Sequence, residues 1–210
     1  MKKKLIILTG PTAVGKTDLS IRLARTVGGE IISADSMQVY RRMDIGTAKI
    51  RPEEMEGVRH HLIDILEPTE SFNAFLFKEY ALKAANEIWE RGSIPIIVGG
   101  TGFYIQTLLY DIEFAKSDEN DGIRDELNKL YEEHGAAFLH DMLAKADPEY
   151  AAEVHENNVK KVIRAIEFYR QTGHKLSEHN TEQRERTSPY NFEYFVLSDD
   201  RAVLYERIDK

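Results

Sequence analysis

Residues Gly10, Pro11, Thr12, Ala13, Val14, Gly15, Lys16 and Thr17 follow the apolar run "KLIILT" and precede the amphipathic pattern "TDLSIRLAR". A glycine, four intervening residues and then Gly-Lys-Thr, set between a strand and a helix, is the P-loop pattern, and that flanking context gives the motif its meaning. It constrains the fold strongly. A buried strand must end where backbone amides and the start of a helix converge on anionic oxygens. Lys16 adds a point charge there, and the Thr17 hydroxyl is a ligand for Mg²⁺. All eight residues are assigned to diphosphate binding. The loop alone does not separate a kinase from another user of a diphosphate.

Downstream, short apolar runs alternate with helical patterns: "EIISAD", "HHLIDIL", "FLFKEYALKAANEIWERG" and "IPIIVGG". That alternation predicts an α/β fold, a parallel sheet with helices on both faces. A helix is expected from Ala74 to Arg91, with Phe77, Ala81, Ala84 and Ile88 on one face and Gly92 as its stop. From Lys116 the texture changes. "KSDENDG" reads as a polar linker, an acidic helical segment runs to about His174, and the polar stretch "TEQRERTSPYN" leads back to the strand-like "FEYFVLS". The organisation expected is a P-loop NTPase-like core over 1–114, a helical insertion over 115–188 and a return to the core over 189–210. The closing "DDRAVLYERIDK" starts an amphipathic helix and stops without a breaker, which predicts that the protein continues.

Cysteine is absent, which removes disulfides, zinc knuckles and thiol nucleophiles together and fits a reducing cytoplasm. The apolar run after "MKKK" is stopped by Gly10 and Pro11, too early for a signal peptide or a membrane span, so a first strand and no membrane partner are expected. The net charge of -8 disfavours a polyanionic partner on average. The distribution says otherwise. Residues 1–112 carry 14 cations and 14 anions, and residues 113–210 carry 14 and 22, yet "NNVKKVIRAIEFYR" is a basic island within that acidic half. At helical spacing Val159, Val162, Ile163 and Ile166 face inward, leaving Lys160, Lys161 and Arg164 opposite. They are candidate phosphate contacts, with Arg124 on the same grounds, although a solvated helix face gives the same pattern.

Ligands of open parallel sheets gather at the carboxyl ends of strands. Two such ends deliver Asp35, followed by Ser36, Met37 and Gln38, and Thr101 within "GGTGFY". Each has a plain alternative: a helix cap or a second neighbour of Mg²⁺ for Asp35, a turn residue for Thr101. His60 and His61 are adjacent, so on a strand they point to opposite faces and are expected to be structural rather than a metal pair.

Taken together, "GPTAVGKT", "DSMQVYRRMDIGTAK", "GVRHHLIDILEP", "PIIVGGTGFYI", "VIRAIEFYRQTGHKLSE" and "RAVLYERI", in this order, closely resemble the tRNA dimethylallyltransferase family, and the match covers most of the chain. The resemblance implies that the loop holds the diphosphate of dimethylallyl diphosphate as a leaving group. The prenyl chain would pass to the exocyclic amine of the adenine on the 3′ side of the anticodon. Asp35 would take the amine proton, Thr101 would sit beside the reacting centre, and Lys16, Thr17 and Mg²⁺ would neutralise the departing diphosphate. The target base must be turned out of its stack to react. Asp35, Ser36, Met37, Gln38 and Thr101 would contact the anticodon loop, and Arg124, Lys160, Lys161, Val162, Ile163 and Arg164 the rest of the RNA. Two departures stand out: the family often has arginines where this chain has "NNVKK", and it continues past "LYERI" into a segment bearing a diphosphate-binding arginine. A monomer with salt-sensitive tRNA binding is expected.

Two other classes fit parts of the pattern. A P-loop small-molecule or nucleotide kinase shares the fold and the strand-end Asp, but "KSDENDGIRDELNKLYEEHG" is too acidic for an arginine-bearing lid. A non-catalytic RNA-binding module with a relic loop would bind tRNA and leave it unmodified.

Overall fold

The computed structural model describes residues 2–113 and 122–209. The chain divides into two compact units, Met1–Ile112 with Thr187–Lys210, and Glu113–Arg186.

In the first unit the strands are β1 (Lys4–Thr9), β2 (Gly29–Ser33), β3 (His60–His61), β4 (Ile94–Gly99) and β5 (Asn191–Val196). They form one sheet in the order β3-β2-β4-β1-β5, and every pairing is parallel. The α/β architecture expected from the alternation is the one observed. Leu5, Ile7 and Leu8 of β1, Ile31 and Ile32 of β2, and Ile96 and Ile97 of β4 are all buried, as a parallel sheet covered on both faces requires. Helix α1 (Lys16–Val27) follows the loop after β1, α2 (Ala74–Glu90) precedes β4, and α3 (Gly102–Leu109) follows it. Asn73 caps α2, its side chain accepting from the Leu76 amide at 3.0 Å. Phe77, Ala81, Ala84 and Ile88 are buried along that helix, as its spacing predicts.

The runs "HHLIDIL" and "FEYFVLS" both supply strands to the sheet, each with a difference in extent or burial. "HHLIDIL" does not form a long strand: β3 is two residues, because Leu62 and Asp64 take left-handed backbone conformations (φ 63° and 55°) that end the ladder. The segment rejoins the core through a parallel bridge from Leu66 to Tyr40. The edge strand β5 also differs from its apolar appearance, since Tyr194, Phe195 and Val196 are exposed.

The second unit is helical, with α4 (Ile123–Ala146), α5 (Pro148–Glu153), α6 (Val159–Thr172) and α7 (Leu176–Glu185). Leu127, Leu139, Leu143, Val162, Ile163 and Ile166 form its core. The linker expected at 116–122 lies, apart from Gly122, outside the described residues. The polar stretch from Thr181 begins inside α7 rather than as an irregular connection. A tertiary contact explains this. The fully buried Asp147 accepts from the Ser177 amide at 2.9 Å and the Ser177 hydroxyl at 2.7 Å, anchoring the first turn of α7, and from the Tyr150 amide at 3.1 Å at the start of α5.

Burial pushes the Asp147 carboxyl up, but the hydrogen bonds from Ser177, Tyr150 and Leu176 together outweigh it, and the net displacement is below the ordinary value of 3.8. Its contribution to stability is therefore present above that value and lost as pH falls through the depressed one. Asp147→Ala, which leaves buried amides unpaired, is expected to cost about 2–4 kcal/mol in urea unfolding. The stability gap between wild type and Asp147→Asn should narrow as pH drops below 3.8. A gap independent of pH would contradict the assignment.

Candidate active site

The ends of β1, β2 and β4 meet through glycine. A Cβ on Gly99 would stand 2.2 Å from the Ala34 carbonyl oxygen, and one on Gly10 would stand 2.5 Å from the Leu197 carbonyl oxygen. No larger residue fits these crossings. The Thr9 hydroxyl donates to the Gly99 carbonyl at 2.9 Å, and the Ala34 amide to the Val98 carbonyl at 2.7 Å, so the three strand ends are tied.

The loop from Gly10 to Thr17 turns on two left-handed positions, Ala13 (φ 63°) and Gly15 (φ 91°), the second capping α1 with no side chain over its first amides. Those amides stay free for an anion. The Lys16 ammonium folds back onto the loop, donating to the Gly10 carbonyl at 2.9 Å and the Pro11 carbonyl at 2.7 Å. Burial lowers its pKa, and the Asp35 charge pulls the other way. The Thr17 hydroxyl is engaged by no other group among the described residues.

Asp35 lies just past β2. Its Oδ1 accepts from the amides of Met37 at 2.8 Å and Gln38 at 3.2 Å, closing a turn of residues 35–38. Asp35 caps no helix, because residues 36–39 form a turn, and its Oδ2 has no hydrogen-bond partner among the described residues. Lys16, Thr17, Asp35, Gln38, His60 and Gly99 line one cleft. The rest of its lining is mostly aliphatic, from Ile31, Ile50, Ile63 and Val98, with Ser20 and Ser33 among them. Thr101 begins α3 two residues beyond Gly99, and its side chain caps nothing. Ser36 is half-buried and Met37 is exposed.

Sequence reasoning missed three groups. His60 is on the cleft: its Nδ1 faces the Val58 carbonyl at 2.9 Å, so that nitrogen carries the proton, and burial lowers the imidazole pKa. The expected separation of the histidine pair holds, with His61 Nε2 instead 2.8 Å from Glu30 Oε2. Arg207 of α8 (Arg201–Ile208) donates to the Ala13 carbonyl of the phosphate loop at 3.2 Å and pairs with Asp199 at 2.9 Å. Buried Lys49 donates to the Tyr40 carbonyl and to Asp44 and Asp64. A contact spanning the chain from Ala13 to Arg207 leaves no local pattern.

In the second unit Lys160, Lys161 and Arg164 are exposed on α6 and form no ion pair among the described residues. Arg124 is paired with Glu167. Val162 (0% exposed) and Ile163 (6%) are corrected: they are core residues of this unit, and their side chains have no surface to offer an RNA.

The model of the IPP transferase family matches residues 38–210. A tRNA dimethylallyltransferase of Lachnoclostridium phytofermentans is 59% identical over 205 residues, 98% of this chain and 66% of that protein. That of Bacillus subtilis is 50% identical over 209 residues, 100% of this chain and 66% of its own. The chain thus spans just under two thirds of these relatives' length. Among solved structures, the full-length tRNA isopentenylpyrophosphate transferase of Bacillus halodurans is 47% identical, with a TM-score of 0.64 over 99% of this chain and 64% of that one. A eukaryotic dimethylallyltransferase solved acting on tRNA is 36% identical, with a TM-score of 0.89 over 99% of this chain and 51% of that one. With its fold, its phosphate loop and these likenesses, the chain belongs to the IPP transferase family.

Proposed function

We propose that the protein transfers a dimethylallyl group from dimethylallyl diphosphate to the exocyclic N6 amine of the adenine 3′ of the tRNA anticodon, releasing diphosphate. One observation carries this reading: a single cleft joins the phosphate-loop cation and hydroxyl, a carboxylate with one unengaged oxygen, and an aliphatic wall. A diphosphate bearing a short branched hydrocarbon matches those surfaces end for end. A phosphoryl acceptor gives no use for the aliphatic wall, and the relatives' names also favour prenyl transfer over a kinase.

In the reaction the bond between C1 and the diphosphate oxygen breaks, its electron pair staying on the diphosphate. The N6–C1 bond forms and one amine proton passes to Asp35 Oδ2. The amine is a poor nucleophile because its lone pair is delocalised into the ring, so proton removal as the bond forms matters. Oδ1, held by two backbone amides, fixes the carboxylate while Oδ2 works. Lys16 leaves its loop carbonyls for the diphosphate, and the free amides of the α1 start add donors. Thr101 would hydrogen-bond the diphosphate or the base.

The donors at the loop suit Mg²⁺. Thr17, whose hydroxyl has no other partner among the described residues, would hold the ion. When bound it would supply charge neutralisation to the leaving group.

The turn of residues 35–38 would meet the anticodon loop. Lys160 and Lys161, as point charges, and Arg164, as a two-pronged donor, would meet the RNA backbone. Arg124 would have to exchange Glu167 for a phosphate. The protein would act as a monomer in the cytoplasm.

Lys16→Ala is expected to weaken dimethylallyl diphosphate binding in calorimetry with Mg²⁺ while tRNA affinity stays near wild type. Asp35→Asn should bind both substrates yet slow single-turnover transfer by about a hundredfold to ten-thousandfold. A rate within about threefold of wild type, far above that range, would remove Asp35 as the base. Neutralising Lys160, Lys161 and Arg164 together should flatten the salt dependence of tRNA binding by up to about 0.9 log units per contact. An unchanged slope would assign these cations to solvent.

A further inference from the structure

The chain leaves the cleft at Gln38 and returns to it at Ile50. The turn between them is fixed by its own polar groups. The Thr47 hydroxyl donates to the Met43 carbonyl at 2.6 Å, the Ala48 amide to the Ile45 carbonyl at 3.1 Å, and the Lys49 amide to the Asp44 carbonyl at 3.1 Å. Beneath it the Lys49 ammonium, whose side chain is 4% exposed, donates to the Tyr40 carbonyl at 2.7 Å, Asp44 Oδ1 at 2.8 Å and Asp64 Oδ1 at 2.6 Å. Burial pulls the Lys49 pKa down, but the two carboxylates outweigh it and keep the lysine charged. The Gln38 side-chain amide donates to the Thr47 carbonyl at 3.3 Å, tying the turn to the cleft wall.

Ile45, at the tip of this turn, is 98% exposed, whereas the next most exposed large apolar side chain among the described residues, Val196, is 65% exposed. Scattered apolar residues on a surface are ordinary, so it is the extent of the exposure that sets Ile45 apart. Ile45 leans on nothing. It stands two residues from Thr47, so the two Cα atoms are at most about 7 Å apart, and Thr47 is itself bonded to a cleft residue. An isoleucine held out this way at the rim has the form of the apolar wedges that enter a base step and replace stacking lost there.

We propose that Ile45 is a positioning residue for the RNA, packing against the base beside the extruded adenine and holding the target in the cleft. Lys49 and its two carboxylates keep the tip in place. The inference rests on the prenyl-transfer reading above, because only a base taken out of its stack leaves a step to fill.

The test uses an anticodon stem-loop with 2-aminopurine at the target adenine, whose fluorescence rises on unstacking, together with prenylation kinetics on the ordinary stem-loop. Ile45 touches no core residue, so its variants keep the fold. Wild type and Ile45→Leu, which retains apolar bulk, are expected to give the fluorescence rise. Ile45→Ser should lose most of it and show kcat/KM for RNA lowered by about tenfold, the scale of one lost stacking contact, with diphosphate affinity unchanged. If Ile45→Ser extrudes and prenylates like wild type, the wedge is wrong and the transferase reading stands. If wild type neither extrudes the base nor prenylates it, both fall.

Discussion

The site depends on how closely the strand ends approach one another. With a side chain at Gly99, β4 could not lie 2.2 Å (Cβ to oxygen) from the Ala34 carbonyl, and the turn that carries Asp35 would be pushed away from the one that carries Thr101. Gly10 plays the same part between the phosphate loop and the segment after β5. Parallel pairing brings all the carboxyl ends to one edge of the sheet, and these glycines close that edge into a single cleft. The chemistry is then a matter of which side chains leave the ends of the strands.

Charge is handled differently at each position. Lys16 and Asp35 share the cleft without bonding to each other: the ammonium rests on loop carbonyls and the carboxylate on backbone amides. Each is held but neither is cancelled, and both can be handed to a substrate. Lys49 and Asp147 are instead committed to protein partners, one fixing a turn and the other fixing the starts of two helices. A buried charge with a full set of partners serves structure, whereas a charge with a spare oxygen or an exchangeable contact serves a ligand.

The sheet, the phosphate loop and α2 were legible because each writes a local period or a fixed spacing, and Asp35 was legible because β2 ends there. What escaped was tertiary. The short β3 follows from left-handed backbone at Leu62 and Asp64, which no apolar pattern encodes. Helix α7 is stabilised from Asp147, thirty residues earlier, and so looked like a connection. The inward face of Val162 and Ile163 was legible from helical spacing, and it was their assignment to RNA contact, carried by the resemblance, that their burial overturned. Lys49, His60 and Arg207 acquire their meaning only from partners distant along the chain or from the cleft itself.

In the proposed transfer, a phosphate loop would hold a leaving group while a strand-end carboxylate works on an RNA base. Incubation of the protein with unmodified tRNA, dimethylallyl diphosphate and Mg²⁺, followed by mass analysis of the digested nucleosides, tests it most directly. The account predicts adenosine carrying one added C5H8 unit, with release of diphosphate in equal amount. Bound tRNA recovered with unmodified adenosine, or phosphate transferred from ATP in place of a prenyl group, would contradict it.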